Sequence, residues 1–135
     1  MGCKKKLPNE LLFFENHPVE NGKYRLYVLG TEGEWIEGYK DFYIDDIPTL
    51  VRMKKQWVFR HASDIMPCGY GYTVYLVNEN KILKTKAINI ECEYMSGWIE
   101  FPKKYLTQYK NQFIRMNATE KSNFEKKYLT HTNSL

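Results

Sequence analysis

Residues 72–101, YTVYLVNENKILKTKAINIECEYMSGWIEF, decide how this chain folds. Two apolar runs flank an Asn-Glu-Asn cluster at positions 78–80, a pattern that is typical of a β-hairpin. Over residues 86–94 apolar and polar side chains alternate, which predicts a strand with one face on a core and the other in water. Turn-forming residues at 95–97 then lead into a last strand at 98–101. The stretch therefore predicts an antiparallel meander.

The N-terminal part of the chain adds further strands to this meander. The apolar run at residues 11–14 predicts a short helix or an edge strand. Residues 23–29 alternate well enough to predict a half-buried strand. Residues 35–44 predict another strand, in which Gly38 forms a bulge. In the strand predicted over residues 23–29, one face is apolar and the other face carries Lys23, Arg25 and Tyr27.

Helices are predicted both before and after the meander in the sequence. The sequence Asp-Asp-Ile-Pro at 45–48 is typical of a helix entry, because Asp accepts hydrogen bonds from free amides and proline there needs no donor. This predicts a basic amphipathic helix over residues 49–59, with a strand that begins at Trp57 as the alternative. Residues 102–116 predict a second helix, and a capping-box pattern predicts a third over residues 122–129.

The predicted fold class is α+β. We expect a single domain over residues 1–135, with an antiparallel sheet of about five strands packed against two or three helices and a helical C-terminal part. Residues 1–8 and 130–135 are expected to be flexible tails.

Aromatic content is the unusual feature of the composition, at 16% with 11 Tyr, 7 Phe and 3 Trp. Tyrosine favours strands and also binding surfaces, because its ring buries area while its hydroxyl finds a partner. The net charge is only +4 and the pI is about 8.8. That pI is below the value of roughly 9 that is typical of a dedicated nucleic-acid-binding domain.

The spacing of the cysteines indicates the redox state of the compartment in which the protein is expected. Cys3, Cys68 and Cys92 are widely spaced, which is neither a disulfide framework nor a zinc pattern and favours a reducing compartment. Without a membrane-spanning run or a signal peptide, the expected location is cytoplasmic. Lipid anchoring through Gly2, or through Cys3 as the first residue of a mature lipoprotein, is the alternative, although Lys6 stands where myristoylation requires Ser or Thr.

One segment gathers groups that serve as catalysts in other proteins. His61, Ser63, Asp64 and Cys68 supply a base, an acid and two nucleophiles within eight positions. Nucleophilic catalysis also needs the base within hydrogen-bond reach and a third group that orients it, and no family signature surrounds Cys68. The residues therefore weigh against an enzyme without excluding one, and an enzyme that uses His61 and Cys68 ranks third among the functions considered. No cofactor is expected, and no metal site, since no ligand pair is close in sequence.

A non-enzymatic protein-binding module is the function that we expect, and its most concrete form is an inhibitor of the toxin-immunity kind. Large aromatic side chains dominate the energetics of protein interfaces. The partner would then be another protein, such as a toxin domain. The expected contact residues are Trp35, Tyr39 and Tyr43, which would lie on one face of the predicted strand over residues 35–44, and Tyr27.

RNA or DNA binding is the alternative function. Bases stack on exposed aromatic rings while Lys and Arg hold phosphates. The residues that would form such a basic and aromatic sheet face are Lys23, Arg25, Tyr27, Lys84 and Lys86.

Overall fold

A seven-stranded antiparallel sheet dominates the computed structural model, which describes residues 10–31, 36, 38–61 and 69–129. In these residues the strands are β1 (Glu10–Leu12), β2 (Tyr24–Gly30), β3 (Phe42–Ile44), β4 (Val58–Arg60), β5 (Tyr72–Asn78), β6 (Lys81–Asn89), β7 (Tyr94–Met95), β8 (Ile99–Glu100) and β9 (Ile114–Arg115). The α-helices are α1 (Ile47–Gln56), α2 (Lys104–Thr107) and α3 (Ala118–Phe124), and α3 continues as a π-helical turn over Glu125–Leu129. Short 3₁₀ turns span Val19–Asn21 and Lys110–Gln112.

The strand order of the large sheet is β8-β7-β6-β5-β2-β3-β9, and every neighbouring pair is antiparallel. Strands β1 and β4 form a separate two-stranded sheet, so the apolar run near residue 12 is an edge strand. The predicted α+β class and the meander are confirmed. The large sheet has more than the expected five or so strands, because β7 and β9 have only two residues each and leave almost no pattern in the sequence. The predicted tails at 1–8 and 130–135 lie outside the described residues.

The single strand predicted over residues 86–94 is wrong. Strand β6 ends at Asn89, whose side-chain oxygen accepts a hydrogen bond from the backbone N–H of Cys92 at 2.8 Å. Glu93 then adopts a left-handed φ of 56°, which reverses the chain before β7. A local side-chain hydrogen bond of this kind offers the backbone a turn in place of the sheet ladder.

The strand predicted over residues 35–44 is also much shorter than expected. Within the described part of this segment, only Phe42–Ile44 pair with β2. The N–H of Tyr39 donates to the carbonyl of Ile36 at 2.9 Å, and Gly38 has a φ of 87°, so Gly38 belongs to a turn and not to a bulge.

The predicted helices have the right order but different bounds. Helix α1 ends at Gln56, because the indole of the fully buried Trp57 donates from Nε1 to the carbonyl of Tyr105 at 2.9 Å, and β4 begins at the next residue. The alternative prediction of a strand at this point is therefore confirmed. The last helix begins at Ala118, four positions before the predicted start, with a capping box formed by Asn117 and Glu120.

The helix predicted over residues 102–116 is wrong for most of its length. Only Lys104–Thr107 are α-helical. Phe113 stacks on Phe42 with a centroid distance of 3.7 Å and an interplanar angle of 14°, and this contact brings the chain to the sheet edge as β9. A tertiary contact overrides the helical spacing of the apolar residues.

Apolar side chains pack on both faces of the sheet. The main-core face carries the large cluster, which includes the rings of Phe13, Phe14, Trp57, Phe59 and Phe101. The opposite face, called the outer face below, carries a second and smaller cluster made of Tyr27, Leu29, Val77, Met116 and Phe124. The C-terminal helix α3 covers part of this outer face and leaves the rest open.

Candidate functional site

A row of three tyrosines crosses the outer face. In the strand register Tyr27 of β2 lies directly between Tyr43 of β3 and Tyr75 of β5. Residues directly opposite one another in antiparallel strands point to the same face, so the three side chains share the outer face. The rings of Tyr27 and Tyr43 are 5.3 Å apart. The alternation predicted for residues 23–29 produces this arrangement, with Leu26 and neighbouring apolar residues in the main core.

The C-terminal helix closes one end of the tyrosine row. The ring of Phe124 lies 4.5 Å from that of Tyr27, 5.1 Å from Tyr75 and 4.9 Å from Tyr128. The hydroxyl of Tyr128 donates to the carbonyl of Glu79 at 2.8 Å, which ties the helix to the β5–β6 turn. Burial raises the pKa of Tyr75 beneath this helix.

Beside the helix, the open end of the row forms a groove of about 640 Å³. Its aromatic wall consists of Tyr27, Tyr43, Phe124 and Tyr128. Its charged lining is mixed, with the basic residues Lys23, Arg25 and Lys127 and the acidic residues Asp45, Glu79 and Glu120.

Arg25 contacts two of the tyrosines that line this groove. Its Nη1 donates to the hydroxyl of Tyr27 at 3.1 Å, and its guanidinium carbon lies 4.4 Å from the centre of the Tyr43 ring. Burial opposes the charge, but the hydrogen bond that Arg25 donates to Tyr27 and the electrostatic effects of Tyr27, Tyr43 and Asp45 raise the pKa of Arg25. Arg25 is exposed, and none of the ion pairs between described residues includes it.

The residues predicted to bind a protein are only partly brought together. Tyr27 and Tyr43 stand side by side in the groove. Tyr39 is only 6% exposed and belongs to the main core, where it packs against Phe113 at 5.8 Å. Trp35 lies outside the described residues. The expectation that Tyr39 shares a face with Tyr43 is wrong, because residue 39 is in a turn and strand alternation does not apply to it.

The five residues predicted as a nucleic-acid surface are divided between the two faces of the sheet. Lys23 and Arg25 line the groove with Tyr27. Lys84 pairs in register with the core residue Leu76, and Lys86 pairs with Val74, so both lysines belong to the main-core side. Lys84 forms an ion pair with Glu15 there. One continuous basic and aromatic surface is therefore not formed by these five residues.

Of the four residues considered for catalysis, the structure describes His61. His61 is exposed and forms an isolated β-bridge with Ile99, whereas Ser63, Asp64 and Cys68 lie outside the described residues. In the part of the chain that the structure describes, no three His, Cys, Asp or Glu side chains gather as metal ligands.

Cys92 forms a disulfide bond, which its spacing from the other cysteines did not predict. Its partner lies outside the described residues, since the other two cysteines are Cys3 and Cys68. In the described part of the chain, no helix has the length and apolar character needed to span a membrane.

Three residues of the groove, Phe124, Tyr128 and Asp45, were not predicted from the sequence to belong to a binding site. Phe124 and Tyr128 are four positions apart, a spacing that puts two side chains on one side of a helix and could have indicated an aromatic contact face. Asp45 was interpreted only as part of a helix entry, and no local signal places it near Arg25.

Chemically, the groove combines a fixed cation, phenol hydroxyls and aromatic surface, a set that suits non-covalent recognition. Arg and Tyr are enriched among residues that dominate binding energy at protein interfaces. A scan against protein-family models, a search of curated proteins and a search of solved structures each find no match to the chain.

Proposed function

We propose that this chain is a non-enzymatic protein-binding module and that the groove around Arg25, Tyr27 and Tyr43 is its contact surface. The observation that carries the proposal is the exposed guanidinium of Arg25, fixed by Tyr27 at 3.1 Å and stacked on Tyr43. A charged group held in one position in an aromatic groove loses little conformational freedom on binding, so more of its interaction energy contributes to affinity.

The charges of the groove favour a protein over a nucleic acid. Three acidic residues, Asp45, Glu79 and Glu120, line the same groove as the three basic ones. A polyanion would meet repulsion from these carboxylates, whereas a protein segment with both charge signs can match them. The division of the predicted basic residues between two sheet faces points in the same direction.

An inhibitor of the toxin-immunity kind remains the most concrete form of this proposal. Such a protein needs a stable scaffold and one specific face, and the tyrosine row with its groove supplies such a face. The link from this architecture to an inhibitor is one of analogy.

Two cellular locations are compatible with this proposed function, the cytoplasm and an oxidising compartment. The sequence favours the cytoplasm, but the disulfide at Cys92 favours an oxidising compartment, where such bonds persist. Lipid anchoring through Gly2 or Cys3 is the further alternative. Cell fractionation with thiols blocked before lysis distinguishes the two compartments, and the intact mass of the N-terminal peptide shows whether a lipid is attached.

The test compares two classes of partner under two salt conditions. Titration calorimetry would measure binding of the purified chain to the protein encoded next to it, and to single- and double-stranded oligonucleotides, at about 50 and 200 mM salt. We expect tight binding of the protein that changes less than about tenfold between the two conditions. Oligonucleotide binding that falls by about a thousandfold would instead support the nucleic-acid function and overturn the proposal.

A further inference from the structure

We propose that Arg25 is a receptor for one carboxylate of the partner, an Asp or Glu side chain carried next to an aromatic or aliphatic residue. This inference rests on the proposed protein-binding function and names the chemistry that the groove recognises.

The guanidinium of Arg25 has more N–H donors than its hydrogen bond to Tyr27 uses. A guanidinium carries five N–H donors in one plane, and Tyr27 accepts from one of its terminal nitrogens. Its side-by-side N–H groups match the two oxygens of a carboxylate, which makes bidentate pairing the strongest contact available to it. No ion pair between described residues uses Arg25, so this capacity is open to a ligand.

Two neighbouring tyrosines position Arg25 for such a contact. The cation–π contact with the Tyr43 ring and the hydrogen bond to the Tyr27 hydroxyl hold the guanidinium between the two tyrosines. The same two rings, with Phe124 at 4.5 Å from Tyr27, offer apolar surface beside the cation. A ligand that carries a carboxylate and an adjacent apolar group therefore meets both features at once.

The neighbouring acids restrict the ligand to a single negative charge. Asp45 is near enough to stabilise the charge of Arg25, and Glu79 and Glu120 line the same groove. These carboxylates repel a phosphate dianion more strongly than a monoanionic carboxylate. The groove is thus matched to an acidic side chain and not to a phosphate group.

The test is an NMR titration of the full chain with two matched probes, N-acetyl-Phe-Glu-amide and N-acetyl-Phe-Gln-amide. We expect the acidic probe to shift the Arg25 Nε–Hε signal and the ring signals of Tyr27 and Tyr43, and the neutral probe to bind at least about tenfold more weakly. Arg25→Gln should abolish the preference for the acidic probe. Arg25→Lys should keep only part of it, because an ammonium group cannot form the bidentate pair.

The controls separate this inference from its alternatives. Arg52→Gln, at an exposed arginine of α1 outside the groove, should leave the preference unchanged. Equal binding of the two probes overturns the carboxylate assignment, and so does inorganic phosphate that shifts the same signals at a lower concentration than the acidic probe.

The outcome for the protein partner distinguishes failure of the inference from failure of the proposed function. If the acidic probe binds at Arg25 but the partner binds Arg25→Gln and Tyr43→Ala with unchanged affinity, the carboxylate site stands and the groove is not the protein-binding surface. If the partner requires Tyr43 but tolerates Arg25→Gln, the surface stands and the carboxylate inference is overturned.

Discussion

The buried carboxylate of Asp41 connects the C-terminal helix to the end of β2. Its Oδ1 accepts from the backbone N–H of Gly30 at 2.7 Å, and its Oδ2 lies 3.3 Å from Nζ of Lys121. Lys121 also donates to the carbonyl of Gly30 at 3.0 Å. The end of β2, the start of β3 and helix α3 therefore meet at one ion pair, and this contact positions α3 beside the groove.

We predict that Asp41→Ala lowers the free energy of unfolding by about 2–4 kcal/mol, because it leaves the buried N–H of Gly30 without its acceptor and removes the carboxylate that pairs with the ammonium of Lys121. Urea denaturation measures this loss. Asp45→Ala is the matched control at an acidic residue that is not in the buried pair, and it should change stability by less than about 0.5 kcal/mol. Equal effects of the two substitutions would show that the Asp41–Lys121 pair does not stabilise the fold.

Phe124 supplies the buried apolar contact between helix α3 and the outer face. In the described residues, Phe124 is the one side chain of Ala118–Phe124 that is buried, and it packs against Tyr27, Tyr75 and Tyr128. The main sheet does not depend on this contact, because its larger core lies on the other face. Local opening of α3 is therefore expected to require less free energy than global unfolding.

Phe124→Ala should release this helix without unfolding the sheet. A Phe→Ala change in a packed site costs about 3 kcal/mol, so native-state trypsin cleavage after Lys121, Lys126 and Lys127 should accelerate by more than about tenfold. Peptide mass spectrometry over time gives the rate. Phe101→Ala, in the main core, should instead lower the midpoint of global unfolding. An unchanged cleavage rate in Phe124→Ala would contradict the proposed attachment.

Helix α1 begins at a charged cap with a pH-dependent contribution. The side-chain hydroxyl and the backbone N–H of Thr49 donate to Asp46 at 2.6 and 3.1 Å, and these bonds lower the pKa of Asp46. A carboxyl whose pKa is lower in the folded state stabilises the fold above its unfolded-state pKa, and this contribution is lost as the pH falls through the folded-state value.

The stability difference between the wild type and Asp46→Ala should therefore be largest at neutral pH and should shrink as the pH falls below 3.8. Urea midpoints measured across the acid range give this difference. Asp46→Ser keeps an uncharged cap acceptor and should recover the part of the difference that does not depend on pH. A difference that grows toward low pH would refute the charged cap.

At the scale of the whole molecule, Cys92 in the β6–β7 turn forms a disulfide bond. A cross-link restricts the unfolded chain and typically adds about 2–4 kcal/mol of stability. We predict that a reductant lowers the midpoint of urea unfolding and that Cys92→Ser has the same effect. Under non-reducing conditions one of the 3 cysteines should react with a thiol reagent. Three reactive thiols in the folded protein would contradict the disulfide.

The sequence predicted the fold where local pattern and tertiary structure agree. Alternation over residues 23–29 and the turn at 78–80 are local signals, and β2 and the β5–β6 hairpin form at these places, although β6 ends at Asn89. The helix over 102–116 failed because Phe113 has helical spacing but stacks on Phe42 from another element. Local spacing carries no information about such a partner.

The same distinction applies to the site. Arg25 and Tyr27 were assigned to one face by alternation, and their contact with Tyr43 follows from strand register. Lys84 was grouped with them by composition alone, but its register places it on the other side of the sheet. Helix α3 completes the groove through contacts that only the folded chain brings together.

The most direct test of the groove as the working surface is the affinity of the protein partner for two matched double variants. Arg25→Ala with Tyr43→Ala removes the groove pair, and Arg52→Ala with Tyr70→Ala removes an exposed arginine and an exposed tyrosine elsewhere. We predict that the groove variant loses at least about a hundredfold in affinity, while the control variant changes by less than about threefold. Equal affinities of the two variants, with both folded, would contradict the account.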